Sequence, residues 1–147
     1  MRLRPALLAL LLTATGLEAQ AVNLRDGLAL DGYDPVAYQA DQRATPGSPA
    51  LTATHDGAVY RFASAANREA FLADPTRYLP AYGGFCAYGM ARGYRAKIDP
   101  RAFTIVDGRL YLNYSLEVRD RWSKDVAGYV RKADANWLRL RDSTGRP

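Results

Sequence analysis

Cysteine and histidine are nearly missing from these 147 residues, which hold one of each, Cys86 and His55. One cysteine cannot close an intrachain disulfide, and one Cys with one His cannot complete a tetrahedral zinc site within a single chain. A Ser-His-Asp triad would have to recruit His55, which sits beside Asp56-Gly57 with no nucleophile elbow near it. The residues therefore indicate no catalytic group and no organic cofactor site, and the core has to hold the fold without cross-links. Long apolar runs are lacking too: the stretch from Ala6 to Ala14 falls well short of the ~20 residues a membrane span needs. Acidic residues are the minority, 15 against 20 Lys and Arg. The basic side chains between Arg119 and Arg141 are interleaved with Asp and core-type residues, a pattern of a solvated helix face rather than a nucleic-acid stripe.

What the N-terminus does have is an export signature. Arg2 and Arg4 precede the short apolar run, and Ala19-Gln20-Ala21 supplies a small-x-small cleavage motif, so residues 1–21 are expected to be a signal peptide. The two arginines are not adjacent, which gives a twin-arginine route no support, and no cysteine follows the motif to carry a lipid. Residues 22–147 are then expected to form one domain, periplasmic or secreted, with no stable membrane insertion after signal cleavage.

The chain also repeats itself. At an offset of 51, Asp56, Gly57, Tyr60, Ser64, Arg68, Asp74 and Tyr78 fall on Asp107, Gly108, Tyr111, Ser115, Arg119, Asp125 and Tyr129 without a gap. Each copy reads as a hairpin and a helix. Asp-Gly suits the positive φ angles of a tight hairpin turn, and Ser64 and Ser115 stand where an N-cap hydroxyl accepts from the first turn of a helix. The first helix should end near Asp74, ahead of Pro75, while the last runs longer, with Val126, Tyr129, Val130, Ala133 and Trp137 at helical spacing. The expected fold is α+β: a small single domain of two similar hairpin-helix (ββα) units, residues 51–79 and 103–130, sharing one core. Upstream, Asp34-Pro35-Val36-Ala37-Tyr38 is answered by Asp99-Pro100-Arg101-Ala102-Phe103, which implies an insertion near residues 39–50 in the first copy.

Asp34-Pro35-Val36, the strand Tyr60-Arg61-Phe62, Phe71 and the ending Asp74-Pro75-Thr76-Arg77-Tyr78 resemble the YHS domain family. The wider stretch from Leu30 through Tyr82-Gly83-Gly84-Phe85-Cys86-Ala87-Tyr88-Gly89 to Trp137 is similar to exported bacterial YHS-domain proteins, over nearly all of residues 22–147. Metal-associated members of that family carry a cysteine right after Asp-Pro-Val and two more around the start of the helix. Those places here hold Ala37, Ala63 and Asn67, so the resemblance does not bring the usual thiolate site with it.

A replacement set lies in the glycine-rich connector, residues 82–94. Cys86 and Met90 are four apart, so a helical turn there puts two soft donors suited to Cu(I) on one face, with His55 joining only by tertiary approach. Each residue also has a plain structural reading, as a buried small side chain, a gap-filler and an exposed hairpin residue. Three functions follow. The first is an exported, non-catalytic binding protein that handles copper or another soft metal through Cys86, Met90 and His55. The second is an interaction module that presents an aromatic, basic surface to an envelope protein, with no metal site. The third is a redox-active single-thiol protein, since an unpaired thiol in an oxidising compartment must be buried, liganded, modified or reactive.

Overall fold

The structure, a computed structural model, describes residues 20–142. Residues 1–19, most of the expected signal segment, lie outside the described residues. The architecture is α+β. A short hairpin, β1 (Leu24–Arg25) and β2 (Leu28–Ala29), leads into helix α1 (Pro35–Ala40), then β3 (Ser48–His55), β4 (Ala58–Phe62), α2 (Ala65–Ala73) and α3 (Pro75–Tyr78). The second half runs α4 (Ala87–Ala91), β5 (Asp99–Val106), β6 (Arg109–Asn113), α5 (Leu116–Trp122) and α6 (Val126–Leu140). One sheet has the order β1-β2-β4-β3, with β2 parallel to β4, and the second consists of β5 and β6.

From β3 and β5 onward the two halves match residue for residue at the offset of 51. Ala53 pairs with Tyr60 as Thr104 pairs with Tyr111, and both hairpins carry a register shift at equivalent places, Ser48/Thr52 and Asp99/Phe103. Asp56 and Asp107 have φ of 46° and 51°, each followed by a positive-φ glycine, which is the backbone the Asp-Gly signal demands. Ser64 Oγ accepts from Asn67 N and Ser115 Oγ from Val118 N, both at 3.1 Å. Asp74 and Asp125 break the chain with φ near −150° before the next helix, the short α3 in one copy and the long α6 in the other.

Upstream, the structure corrects the pairing suggested by Asp-Pro. Asp34 caps α1, whereas Asp99 opens β5, so the two are not equivalent, and the first copy is longer by a single residue rather than by the whole stretch 39–50. The counterpart of Leu30-Asp31-Gly32 is Tyr82-Gly83-Gly84: both are three-residue turns with every φ positive, 55°, 51° and 80° against 57°, 61° and 81°. The residues that follow them, Asp34 and Cys86, each cap a short helix. The repeat therefore begins at residue 30 in one copy and 82 in the other, and its full unit is turn-helix-hairpin-helix. Gly83 has a second reason to be glycine, since a Cβ there would run into the carbonyl oxygen of Ala21.

The units share a core. Tyr38, Tyr60, Phe62 and Phe71 of the first meet Cys86, Ile98, Leu110 and Leu112 of the second. A second cluster, built from the second half alone, gathers Tyr82, Met90, Tyr111, Trp122 and Ala133, and Tyr88 packs against both. Tyr38 Oη donates to Pro100 O at 2.7 Å and Gln39 Nε2 to Gly108 O at 2.8 Å, which fastens α1 onto the second hairpin.

Candidate functional site

The equivalence of Asp34 and Cys86 places them in twin cradles. Asp34 is fully buried. Its Oδ1 accepts from Val36 N at 2.8 Å and Ala37 N at 3.2 Å, and its Oδ2 from Ala63 N at 2.8 Å and Asn67 Nδ2 at 2.7 Å. Four donors for two oxygens is the saturation a buried carboxylate requires. Three of the donors come from Ala37, Ala63 and Asn67, the places where the metal-associated YHS pattern has its cysteines. The structure thus brings those three positions together, and closes the space between them on a carboxylate.

In the second unit the same three backbone positions are Tyr88, Gly89 and Tyr114. Cys86 Sγ accepts from Gly89 N at 3.4 Å, and its thiol donates to Asn113 Oδ1 at 3.6 Å. Tyr88 N donates to that Asn113 oxygen at 3.0 Å, which leaves Asn113 Nδ2 buried without a partner. Burial pushes the Cys86 thiol up, and the N–H groups of Gly89, Tyr114 and Tyr88 pull it back in part. The counterpart of Asn67 is Val118, so no fourth donor comes from that helix.

The other soft-donor candidates sit apart. Met90 is one turn along α4 from Cys86, its N–H bonded to Cys86 O at 2.9 Å, but its side chain is fully buried in the second cluster while Cys86 belongs to the shared one. His55 ends β3, with Nε2 3.4 Å from Asp56 Oδ2 and its ring against Phe71. Among the described residues no hydrogen bond, ion pair or ring contact joins His55 to Cys86 or Met90, and no group of three or more His, Cys, Asp or Glu side chains is placed to hold a metal.

The aromatic, basic surface expected of an interaction module has a position that the scattered basic residues did not indicate. Residues 30–80 carry four arginines against six acids, and residues 82–132 ten Lys and Arg against five acids, on the same backbone plan. Six of the seven cation–ring contacts among the described residues lie in the second unit. Arg92 and Arg121 both stand 5.8 Å from the Tyr88 ring centroid, Arg109 spans Tyr82 and Tyr111, and Lys97 lies over Tyr114. Hydrogen bonding from Arg121, helped by Arg92, draws the Tyr88 phenol down. An open cleft of about 550 Å³ lies between the units, walled by Arg25, Asp31 and Tyr33 from the first and by Lys97, Asp99, Arg101 and Tyr114 from the second, with Arg25 paired to Asp31 at 3.7 Å and Arg101 to Asp99 at 2.9 Å. Sequence spacing did not locate the aromatic, basic surface, because its cations come from the end of α4, the following loop, β5, β6 and α5, and converge only on folding.

Comparison with models of known families, with curated proteins and with solved structures finds no match for this chain.

Proposed function

We propose that the chain is an exported, non-catalytic interaction module of the YHS-domain type, which meets an acidic envelope protein with the ring-supported basic surface of its second unit. The observation that carries this reading is the divergence of two copies of one fold, in which nearly all the cation–ring contacts and the whole excess of positive charge lie on one side. A guanidinium resting on a ring keeps its N–H donors while losing rotamer freedom, at about 0.5–1 kcal/mol per exposed contact, so it presents a pre-organised cation, although Arg121 and Arg109 share theirs with Glu117 at 3.1 Å and Asp134 at 3.5 Å and a partner carboxylate has to compete for them. Such charge raises association rate and selects partners of opposite sign.

A photo-reactive residue in place of Tyr94, exposed beside Arg92, is the test, with Leu72 on the first unit as control. The expected result is a discrete protein adduct from position 94, none from 72, and its loss in Arg92→Glu/Arg121→Glu. The same adducts from both positions, or their survival in the charge-reversed protein, would remove the reading.

The soft-metal reading has one placement in its favour, Cys86 and Met90 on successive turns of α4. It makes this an exported copper-handling protein through the same pair, and the experiment that separates it from the interaction module is argued below.

A further inference from the structure

Residues 21–23 cross the glycine turn of the second unit as a strap. Ala21 N donates to the carbonyl oxygen of Arg141, the residue that ends α6, at 2.8 Å. Asn23 N donates to Gly83 O at 2.9 Å and Asn23 Nδ2 to Gly84 O at 3.1 Å, while Val22 between them packs against the shared core. The repeat shows what the strap asks of the turn. The twin of Gly83 is Asp31, which holds φ 51° with a side chain in place, so the left-handed backbone does not by itself demand glycine there. Gly83, at φ 61°, differs in what lies over it: a Cβ would strike the carbonyl oxygen of Ala21 and crowd the Trp137 ring at 3.1 Å. The space is shaped for residue 21, which the Ala19-Gln20-Ala21 motif assigns to the signal segment.

We infer that the export cut falls between Ala19 and Gln20, so that Gln20 and Ala21 stay with the exported protein and Ala21 is part of its fold. The inference rests on the export reading and moves only the position of the cut. The reaction is a hydrolysis: water adds to the Ala19 carbonyl carbon, the peptide bond to Gln20 breaks, and Gln20 leaves with a free amine. Ala19 supplies the small residue that has to precede the cut, with Leu17 two places before it. A signal peptidase reads an extended chain, so the cuts after Ala19 and after Ala21 compete, and they leave the fold in different states. The later cut removes the donor to Arg141 O and turns the amide nitrogen of half-buried Val22 into an ammonium that has to keep its water. The earlier cut leaves the strap whole and puts the charged terminus on Gln20, which is exposed.

The test is the first residue of the exported protein. The full chain is expressed in a bacterium, and the exported fraction is read by intact mass and by its N-terminal peptide. The expected first residue is Gln20, as glutamine or as the lactam it forms by losing ammonia. Exported protein that begins at Val22, or anywhere else past Met1, would overturn the proposal and leave export standing; exported protein that keeps Met1 would overturn both. Stability gives a second readout, on chains made to begin at Gln20 and at Val22. The chain from Gln20 should melt about 3–6 °C higher, the scale of one or two hydrogen bonds in a domain of this size. Gly83→Ala should lower Tm further in the chain from Gln20 than in the chain from Val22, because only the first has a carbonyl to displace. Equal Tm for the two chains, or an equal effect of Gly83→Ala in both, would overturn the claim that residue 21 belongs to the fold.

Discussion

Asp34 and Cys86 hold the same position in the two copies of one unit: each follows a turn of three positive-φ residues and caps a short helix with its side chain. One accepts from four donors, whereas the other accepts from Gly89 N and donates its thiol to Asn113 Oδ1, so the two copies share the backbone of the cradle and differ in its occupant.

Removing the carboxylate should therefore be severe. Asp34→Ala leaves Val36 N, Ala37 N, Ala63 N and Asn67 Nδ2 without acceptors in a site closed to water, and the expected loss is about 3–5 kcal/mol. Asp34→Asn keeps one acceptor oxygen and should lose less than Asp34→Ala. Urea titration of the three proteins measures the order; equal stability of Asp34→Ala and wild type would show that the cradle contributes nothing.

Much of this frame was legible in the residues. Asp-Gly fixed both hairpins because few other pairs tolerate two consecutive positive φ angles, and the serine caps fixed both helix starts. The same Asp-Gly chemistry at Asp26-Gly27 closes the β1–β2 hairpin, yet two-residue strands leave no alternation to detect. The Asp-Pro match misled because identity of letters outweighed backbone geometry: Asp34 and Cys86 share a conformation that no sequence comparison reads. The soft-donor pair was half legible. Its helical spacing holds, but which cluster each side chain enters depends on packing from α6 and β6.

The buried aromatics Phe71 and Trp122 anchor equivalent helices, both with no exposed surface. Phe71→Ala empties a site surrounded by Tyr60 and Phe62, and Trp122→Ala one beside Tyr111, at an expected cost of about 3–5 kcal/mol each. The Nε1 of Trp122 is buried without a partner, so Trp122→Phe, which removes that group, should recover more than half of the loss. A Tm series on the three variants checks it.

Alkali should unfold the protein in a defined window. Burial, with a smaller push from Asp56, raises Tyr60 to about 12 in the folded state. The raised value means that the folded state holds the phenolic proton more tightly than the unfolded chain. Its contribution is full below about pH 10, where the unfolded phenol titrates, and is lost as pH rises to about 12, about 2–3 kcal/mol in all. Burial raises Tyr38 and Tyr82 as well, which steepens the loss. Tyr60→Phe deletes one of these titrations, so its stability should fall less between pH 10 and 12 than that of wild type; parallel pH profiles would contradict the assignment.

Anaerobic Cu(I) titration against a competing chelator separates the two functional readings. A Cu(I) thiolate site needs a deprotonated, reachable sulfur, and the structure gives Cys86 1% exposure, a pKa pushed up by burial, and a lone pair already accepting from Gly89 N. The thioether of Met90 is fully buried among a different set of side chains, and His55 is engaged at the far end of the first hairpin. To bring two sulfurs onto one ion, α4 has to leave its place between the clusters, and that opening subtracts from any affinity. The interaction reading accordingly expects the chelator to keep the metal against wild type, Cys86→Ser and Met90→Leu alike. Tight binding by wild type that Cys86→Ser abolishes and Met90→Leu weakens would establish the copper reading in its place, and would require α4 to be the moving part, which hydrogen exchange at Gly89 and Met90 with and without Cu(I) would show directly.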